Sequence, residues 1–314
     1  MVQRFPITLN QLVYFAECAK LLNMTAASAE LHVAQSAVST AITQLERSLG
    51  ASLFIRQHSK GLILTAAGET LLRDVQRLFG ELVATIDNVR AGQHEAQGRI
   101  TLACFSPLAP FILPQLIGAL RESHPALEVD VIEGNHEECL AALRGGRAEI
   151  ALTYDLPMGD GIASTVLAEF RLHVILPASH RLAGRERVAL RELADEPFVL
   201  LDLPTSTDYF LNILRDAGVE PNPRYRSSSY ETVRSMVAAG LGYSILNQRP
   251  STDETYAGDR AIAVDLSDDA PGLRVEIAAL AQVQPSSRAR AVEAAVREVL
   301  ADPAHPARPR LPEA

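Results

Sequence analysis

Over the first ninety residues, apolar positions recur at helical spacing; from Gly98 onward they gather into short β-rich runs. Thr8 followed three places later by Gln11 is a capping box, and Leu9, Leu12, Phe15, Ala16 and Ala19 then share one face, so a first helix is predicted to about Lys20. Thr25 is expected to cap a second helix, Ala26 to Leu31. His32, Val33 and Ala34 break the pattern before a third helix, Gln35 to Leu49. Short helix, tight turn and longer helix is the helix-turn-helix layout.

The third helix divides into two faces. Val38, Ile42, Leu45 and Leu49 form an apolar stripe, whereas Ser36, Ser39, Thr40, Thr43 and Arg47 lie opposite. Small hydroxyl side chains with Gln35 and Arg47 can enter a major groove and offer donors and acceptors to base edges and phosphates. The same pattern also suits an amphipathic helix whose polar side meets only water. After Gly50, a C-cap signal, Leu53 to Ile55 and Leu62 to Leu64 are expected as two short strands. They enclose Arg56, Gln57, His58, Ser59, Lys60 and Gly61, so Arg56 and Lys60 would sit on a hairpin beside the third helix, where a phosphate or minor groove would lie.

From Thr65, a possible cap, to about Arg90 a single long helix is predicted, with a stripe of Leu71, Leu72, Val75, Leu78, Phe79, Leu82, Val83, Ile86 and Val89. Such a helix needs a partner, either its own domain or a second copy of the chain. The polar AGQHEAQG segment, residues 91–98, then marks a boundary, with a hinge at 93–97. Beyond it, strands are predicted at Ile100 to Cys104, Leu127 to Ile132, Ile150 to Thr153, Leu172 to Leu176, Phe198 to Leu201, Tyr243 to Leu246 and Arg274 to Leu280. They alternate with helices, the pattern of an α/β sheet. The tail 303–314, with four prolines, is expected to be disordered.

The whole chain of 314 residues carries a formal charge of −9. That total argues against nucleic acid, but residues 1–92 hold eight Lys or Arg and seven Asp or Glu, leaving 21 and 31 for the rest: about +1 against −10. The head is therefore permissive for phosphate. No apolar run approaches the length of a spanning helix, and MVQRFPITLN lacks a secretory pattern, so a cytoplasmic protein without membrane contact is expected. Cys18, Cys104 and Cys139 are far apart and show no metal spacing, so neither a disulfide scaffold nor a bound metal or other cofactor is expected.

The stretch from Leu9 to Leu72 resembles the DNA-binding half of the LysR-type transcriptional regulators in helix lengths, turn, wing and the closing Leu-Thr-x-x-Gly-Glu. The resemblance implies a winged helix-turn-helix over 1–65, in which Thr25, Ala26 and Ala27 begin the supporting helix, Gln35, Ser36 and Ser39 lead the recognition helix, and Arg56 anchors the wing. Ala34 departs from the usual helix-capping Ser, and Thr40 and Thr43 stand where Arg is common. It further implies a dimerising linker helix over 66–92, an inverted-repeat operator in double-stranded DNA, assembly to a tetramer, and RNA polymerase as a further partner.

Residues 98–302 resemble the effector domain of the same regulators, two α/β lobes like a periplasmic binding protein. The resemblance puts the crossings near Ser164 to Glu169 and Asp265 to Asp268, with lobe I at 98–164 and 269–302 and lobe II at 168–265. A small-molecule effector would bind between lobes, beyond the carboxyl ends of strands. The loops there carry Ser106, then Thr153 and Tyr154, then Thr205, Ser206 and Thr207, then Ser227, Ser228 and Ser229. Clustered hydroxyls at helix starts suit a small anion, or serve as helix caps alone. A cysteine switch is the rival mode of sensing, since some members of this family form a disulfide in response to peroxide. An enzyme is the main alternative class, but the sequence has no GxxxxGK[ST], GxGxxG, GxSxG or HExxH motif. A solute-binding transport protein would need a signal peptide and no DNA-binding segment.

Overall fold

The computed structural model describes residues 6–57, 61–90 and 96–302. The chain falls into two compact units, one built on its first four helices and the other on the α/β part.

The first unit contains α1 (Leu9–Leu21), α2 (Met24–Glu30), α3 (Gln35–Leu49), the hairpin β1 (Phe54–Gln57) and β2 (Gly61–Leu64), and α4 (Ala66–Arg90). The Thr8–Gln11 capping box forms with both of its bonds. The second helix begins earlier than expected because Asn23, not Thr25, caps it: its side chain accepts from the Thr25 and Ala26 amides at 2.9 and 3.1 Å. Leu12, Phe15, Cys18, Ala27, Val38, Ile42, Leu45, Leu53, Phe54 and Leu62 make one core. Leu9 and Leu49 stay outside it, 51% and 42% exposed, because each lies at a helix end beyond the reach of that core.

Two contacts lock the wing to the helices. Glu46 on α3 accepts the Leu53 and Phe54 amides at 2.8 and 3.3 Å. Thr65 donates to the Ser52 carbonyl at 2.6 Å and accepts the Gly68 amide at 3.0 Å, capping α4 as its sequence suggests. Gly68 is held against strand backbone so closely that a Cβ there would lie 2.3 Å from the Leu53 carbonyl oxygen. Along α4, Leu71, Leu72, Val75 and Phe79 pack into the unit's own core, while Leu78, Leu82 and Ile86 are exposed. The unit's own core thus takes only part of the apolar stripe; the side chains of Val83 and Val89 lie outside the described set.

The second unit holds two sheets. Its elements are β3 (Gly98–Phe105), α5 (Ala109–Ser123), β4 (Leu127–Gly134), α6 (His136–Arg144), β5 (Ile150–Tyr154), β6 (Ile162–Phe170), β7 (His173–Pro177), β8 (Arg187–Val188), β9 (Phe198–Leu201), α7 (Thr207–Asp216), β10 (Pro223–Ser227), α8 (Tyr230–Ala238), β11 (Ser244–Leu246), β12 (Ala261–Leu266), β13 (Leu273–Leu280) and α9 (Ser287–Ala301). One sheet has the order β4-β3-β5-β13-β6; the other runs β11-β7-β12-β8, with the parallel pair β9-β10 joined to it by a bridge from Phe198 to Tyr243. All seven predicted strands form within a residue or two of their expected bounds.

The first crossing lies just beyond the expected Ser164 to Glu169, and the second starts within the expected Asp265 to Asp268. Residues 164–169 belong to β6, which pairs with β13 from Ile162 to Phe170, so the chain leaves the first sheet only at Arg171. The return follows β12 and reaches β13 at Leu273. Three consecutive residues of β6, Ala163 to Thr165, are exposed. Gly272 at the end of the return lies against the first passage, where a Cβ would meet the Phe170 carbonyl oxygen at 2.7 Å. The hinge at 93–97 falls mostly, and the tail at 303–314 wholly, outside the described residues.

Because Gly68 has no room for a methyl group and Gly80 on the same helix has nothing within 4 Å, the pair makes a matched test. Gly68→Ala should cost about 1–3 kcal/mol in denaturant unfolding of the first unit, whereas Gly80→Ala should add up to about 1 kcal/mol. Equal effects would show that the Gly68–Leu53 approach does not restrain the fold.

Candidate functional site

Two surfaces carry the chemistry anticipated from sequence. On α3 the apolar stripe is buried, so the opposite face is left to solvent: Gln35, Ser36, Thr40, Thr43 and Arg47 are exposed and Ser39 is half-buried. Thr25 and Ala26 at the start of α2 are also exposed. Ala34 provides no side-chain cap, so the first amides of α3 lack a side-chain acceptor. Thr43 spends its hydroxyl on the Ser39 carbonyl at 2.9 Å. Arg56 lies on β1 opposite Leu62, exposed and without an ion pair among the described residues, as does Arg47 on α3. Lys60 lies outside the described residues.

The second surface is a narrow cleft where the two sheets meet, lined by Phe105 and Pro107 after β3, Tyr154 at the end of β5, Leu201, Leu203, Ser206 and Phe210 around α7, and Leu246, Asn247 and Gln248 after β11. Of the residues anticipated for an effector, Tyr154 and Ser206 meet here. The others lie outside it, most of them bonded elsewhere. Thr153 points away, its hydroxyl 2.7 Å from Nδ1 of the buried His136, whose Nε2 lies 3.0 Å from the Pro157 carbonyl. A carbonyl only accepts, so Nε2 carries the proton and Thr153 donates to Nδ1. Ser106 donates to the Gly134 carbonyl at 3.1 Å, and Thr207 to Asp202 at 2.7 Å. Ser229 caps α8 through the Thr232 amide, and Ser227 accepts the Ser229 amide. Thr205 and Ser228 are exposed, Thr205 in a left-handed conformation.

Asn247, Gln248 and Tyr209 escaped the reading of the sequence. The first two follow directly on a predicted strand, and the rule that ligands gather beyond strand ends would have found them. Asn247 donates to the Phe170 carbonyl at 3.2 Å and to the Tyr209 hydroxyl at 3.1 Å, and that hydroxyl donates to the Pro271 carbonyl at 2.8 Å. One cleft residue is therefore bonded to the first passage between the sheets and, through Tyr209, to the second.

Burial sets the ionisation of several groups. Desolvation raises the Tyr154 phenol well above its usual value, so it keeps its proton. Desolvation, aided by Glu138, pushes the Cys139 thiol up to about 12, and desolvation with Glu17 pushes Cys18 up to about 11. Cys104 is raised further still, chiefly by burial. All three are free and buried thiols, the reverse of a reactive thiolate's surroundings. His173, at the start of β7, is driven down to about 3 by burial, with repulsion from Arg249 and Arg234 added.

Comparison with known proteins places these features in a family. Residues 9–69 match the model for the bacterial regulatory helix-turn-helix protein, lysR family, and residues 93–301 match the LysR substrate binding domain. A Streptomyces viridosporus protein, named a probable hydrogen peroxide-inducible genes activator, is 29% identical over 94% of this chain and 95% of its own. The crystal structure of HinK, a LysR family transcriptional regulator from Pseudomonas aeruginosa, is 34% identical with a TM-score of 0.63, covering 93% of this chain and 98% of that one.

The state of His173 has a measurable consequence. The folded unit keeps this imidazole neutral down to about 3, while the unfolded chain takes a proton near 6.5. Its contribution is therefore complete above the unfolded value and is lost as pH falls toward the folded one. His173→Leu should remove about 1.4 kcal/mol per pH unit from the loss of stability between about pH 6.5 and 5. Denaturant melts that fall equally steeply in both proteins would sink the assignment.

Proposed function

The chain belongs to the LysR family of bacterial helix-turn-helix regulators, and we propose that it grips operator DNA with α3 and the wing while reading a small molecule in the cleft of its second unit. It is a DNA-binding transcription regulator with an effector-binding domain. The observation that supports the assignment of the reading head is the free hydroxyl face of α3 beside Arg56, held by a core that leaves that face nothing else to do. Gln35, Ser36, Ser39 and Thr40 are assigned to base edges, and Thr25, Ala26, Arg47, Arg56 and Lys60 to the phosphate backbone or the adjoining minor groove. The bare amides at the start of α3 support a further phosphate contact. Thr43 has a smaller part, since its hydroxyl is already bonded.

We assign the exposed Leu78, Leu82 and Ile86 of α4 to pairing with a second copy, which presents two recognition helices to successive major grooves of an inverted repeat. Pairing of dimers into a tetramer, contact with RNA polymerase and a cytoplasmic location belong to the same proposal, as does the absence of a catalytic role. Effector binding would act through Asn247 and Tyr209, which touch the cleft or both passages between sheets and so favour one mutual setting of the lobes. The name of the Streptomyces relative raises the cysteine switch, but buried, protonated thiols argue for a ligand instead.

Titration of a duplex from the region flanking the coding sequence, across a range of salt, tests the head. Arg56→Ala should weaken binding roughly ten-fold and lower the salt slope by about one, whereas Thr43→Ala should change affinity by less than about two-fold. Unaltered binding by Arg56→Ala would remove the wing from the reading head. Footprints should cover two half-sites about one or more helical turns apart and change on adding a cleft ligand, a response that Tyr209→Phe diminishes. A single protected half-site, or a ligand response untouched by Tyr209→Phe, would overturn the paired head or the route from the cleft.

A further inference from the structure

Resting on the reading that the cleft takes the effector, we propose that it selects an uncharged molecule, an apolar ring or short chain bearing hydroxyl or amide groups, and rejects carboxylates. Sequence alone suggested an anion from clustered hydroxyls at helix starts; the structure points the other way. The walls are apolar, formed by Phe105, Leu201, Leu203, Phe210, Leu246 and Leu273. Three polar atoms line the same space without a hydrogen-bond partner: the Tyr154 hydroxyl, the Ser206 hydroxyl and the Gln248 side-chain amide nitrogen. Their residues are 2%, 3% and 2% exposed. Buried groups of this kind are normally satisfied, so three in one cleft mark where a ligand's own polar atoms belong. Two of them donate or accept, and the amide nitrogen only donates, so the ligand needs at least one acceptor.

The charges around the cleft are already spent. Arg274, next to Leu273, is bound to Asp155 at 2.8 Å; Arg249, next to Gln248, to Asp265 at 2.7 Å; and Arg226 reaches Asp202, beside Leu201, at 3.4 Å. No charged side chain lines the cleft itself. The helix starts supply little more. At α5 the Leu108 and Ala109 amides turn back to the Phe105 and Ser106 carbonyls, and Pro110 has none. At α7 the Ser206 and Thr207 amides bond to the Leu203 carbonyl, and Asp208 puts a carboxylate in the first turn. A carboxylate entering this space would lose its water and meet no cation, the costly case of an unpaired buried charge. The space between these walls is narrow, about 10 Å³ as the lobes stand, so the ligand is small and enters as the walls part.

Calorimetric titration of the full chain with benzamide and benzyl alcohol, against benzoate and phenylacetate, tests this. The neutral probes should bind saturably and at least about ten-fold more tightly than the acids, and Tyr154→Phe and Ser206→Ala should each weaken them roughly two- to ten-fold without lowering the melting temperature. Acids that bind as well as the neutral probes, and lose binding in the same two variants, would overturn the charge class while leaving the cleft as the effector site. Neutral binding untouched by either variant would overturn the cleft reading itself. Saturable binding by none of the four would overturn the proposed class.

Discussion

Asn247 bonds to Phe170 on one passage and, by way of Tyr209, to Pro271 on the other, and the second unit works as a two-sheet body through this bridge. The passages can run this close only because Gly272 has no side chain to press on the Phe170 carbonyl. Each sheet pairs within itself, β3, β5 and β13 in one and β7, β11 and β12 in the other, while one hydrophobic core spans both and Phe111 on α5 meets Tyr230 on α8. A neutral amide and a phenol suit such a joint. Their bonds are worth about 1 kcal/mol each, enough to bias a setting and weak enough to be exchanged when a ligand arrives.

The first unit obeys a different constraint, that of backbone brought against backbone. Gly68 on the Leu53 carbonyl, Thr65 on Ser52 and Glu46 on the Leu53 and Phe54 amides fix the wing against α3 and α4 without using any exposed polar residue of the reading face. The hydroxyls of α3 thus stay outside the network that holds the fold, Thr43 and Ser48 excepted. The reading face can therefore vary in sequence with little effect on the scaffold that aims it.

What could be read from the chain follows the range of the forces involved. The capping box at Thr8, the bounds of α3 and all seven expected strands depend on neighbours within a few residues, and they were legible. The start of α2 was misplaced because Asn23 and Thr25 both have capping chemistry, and only the turn at Leu22, with its φ of 48°, decides between them. The first crossing, placed by family resemblance, fell inside β6, because where the chain leaves the sheet is set by its long-range pairing with β13. For the cleft, Tyr154 and Ser206 were found by position in the chain, but Thr153 was not seen to be claimed by His136, seventeen residues earlier. Hydroxyl count cannot say which hydroxyls are already bonded; only the packing does.

The distribution of charge favours the proposed pairing of two copies. The second unit carries most of the acidic excess, and many of its arginines are tied to carboxylates of the same unit, as at Arg274, Arg249, Arg226 and Arg234. They are poorly placed to serve DNA. Phosphate binding then falls to the few cations of the head, with Arg47 and Arg56 prominent and with threonines at two positions of the reading face. Few phosphate contacts mean a shallow dependence on salt and a weak grip by one head alone. Joining two such heads makes the second contact intramolecular, and raises affinity by orders of magnitude without any new side chain. In the proposed pair, the exposed Leu78, Leu82 and Ile86 of α4 would serve DNA recognition as much as the serines and threonines of α3.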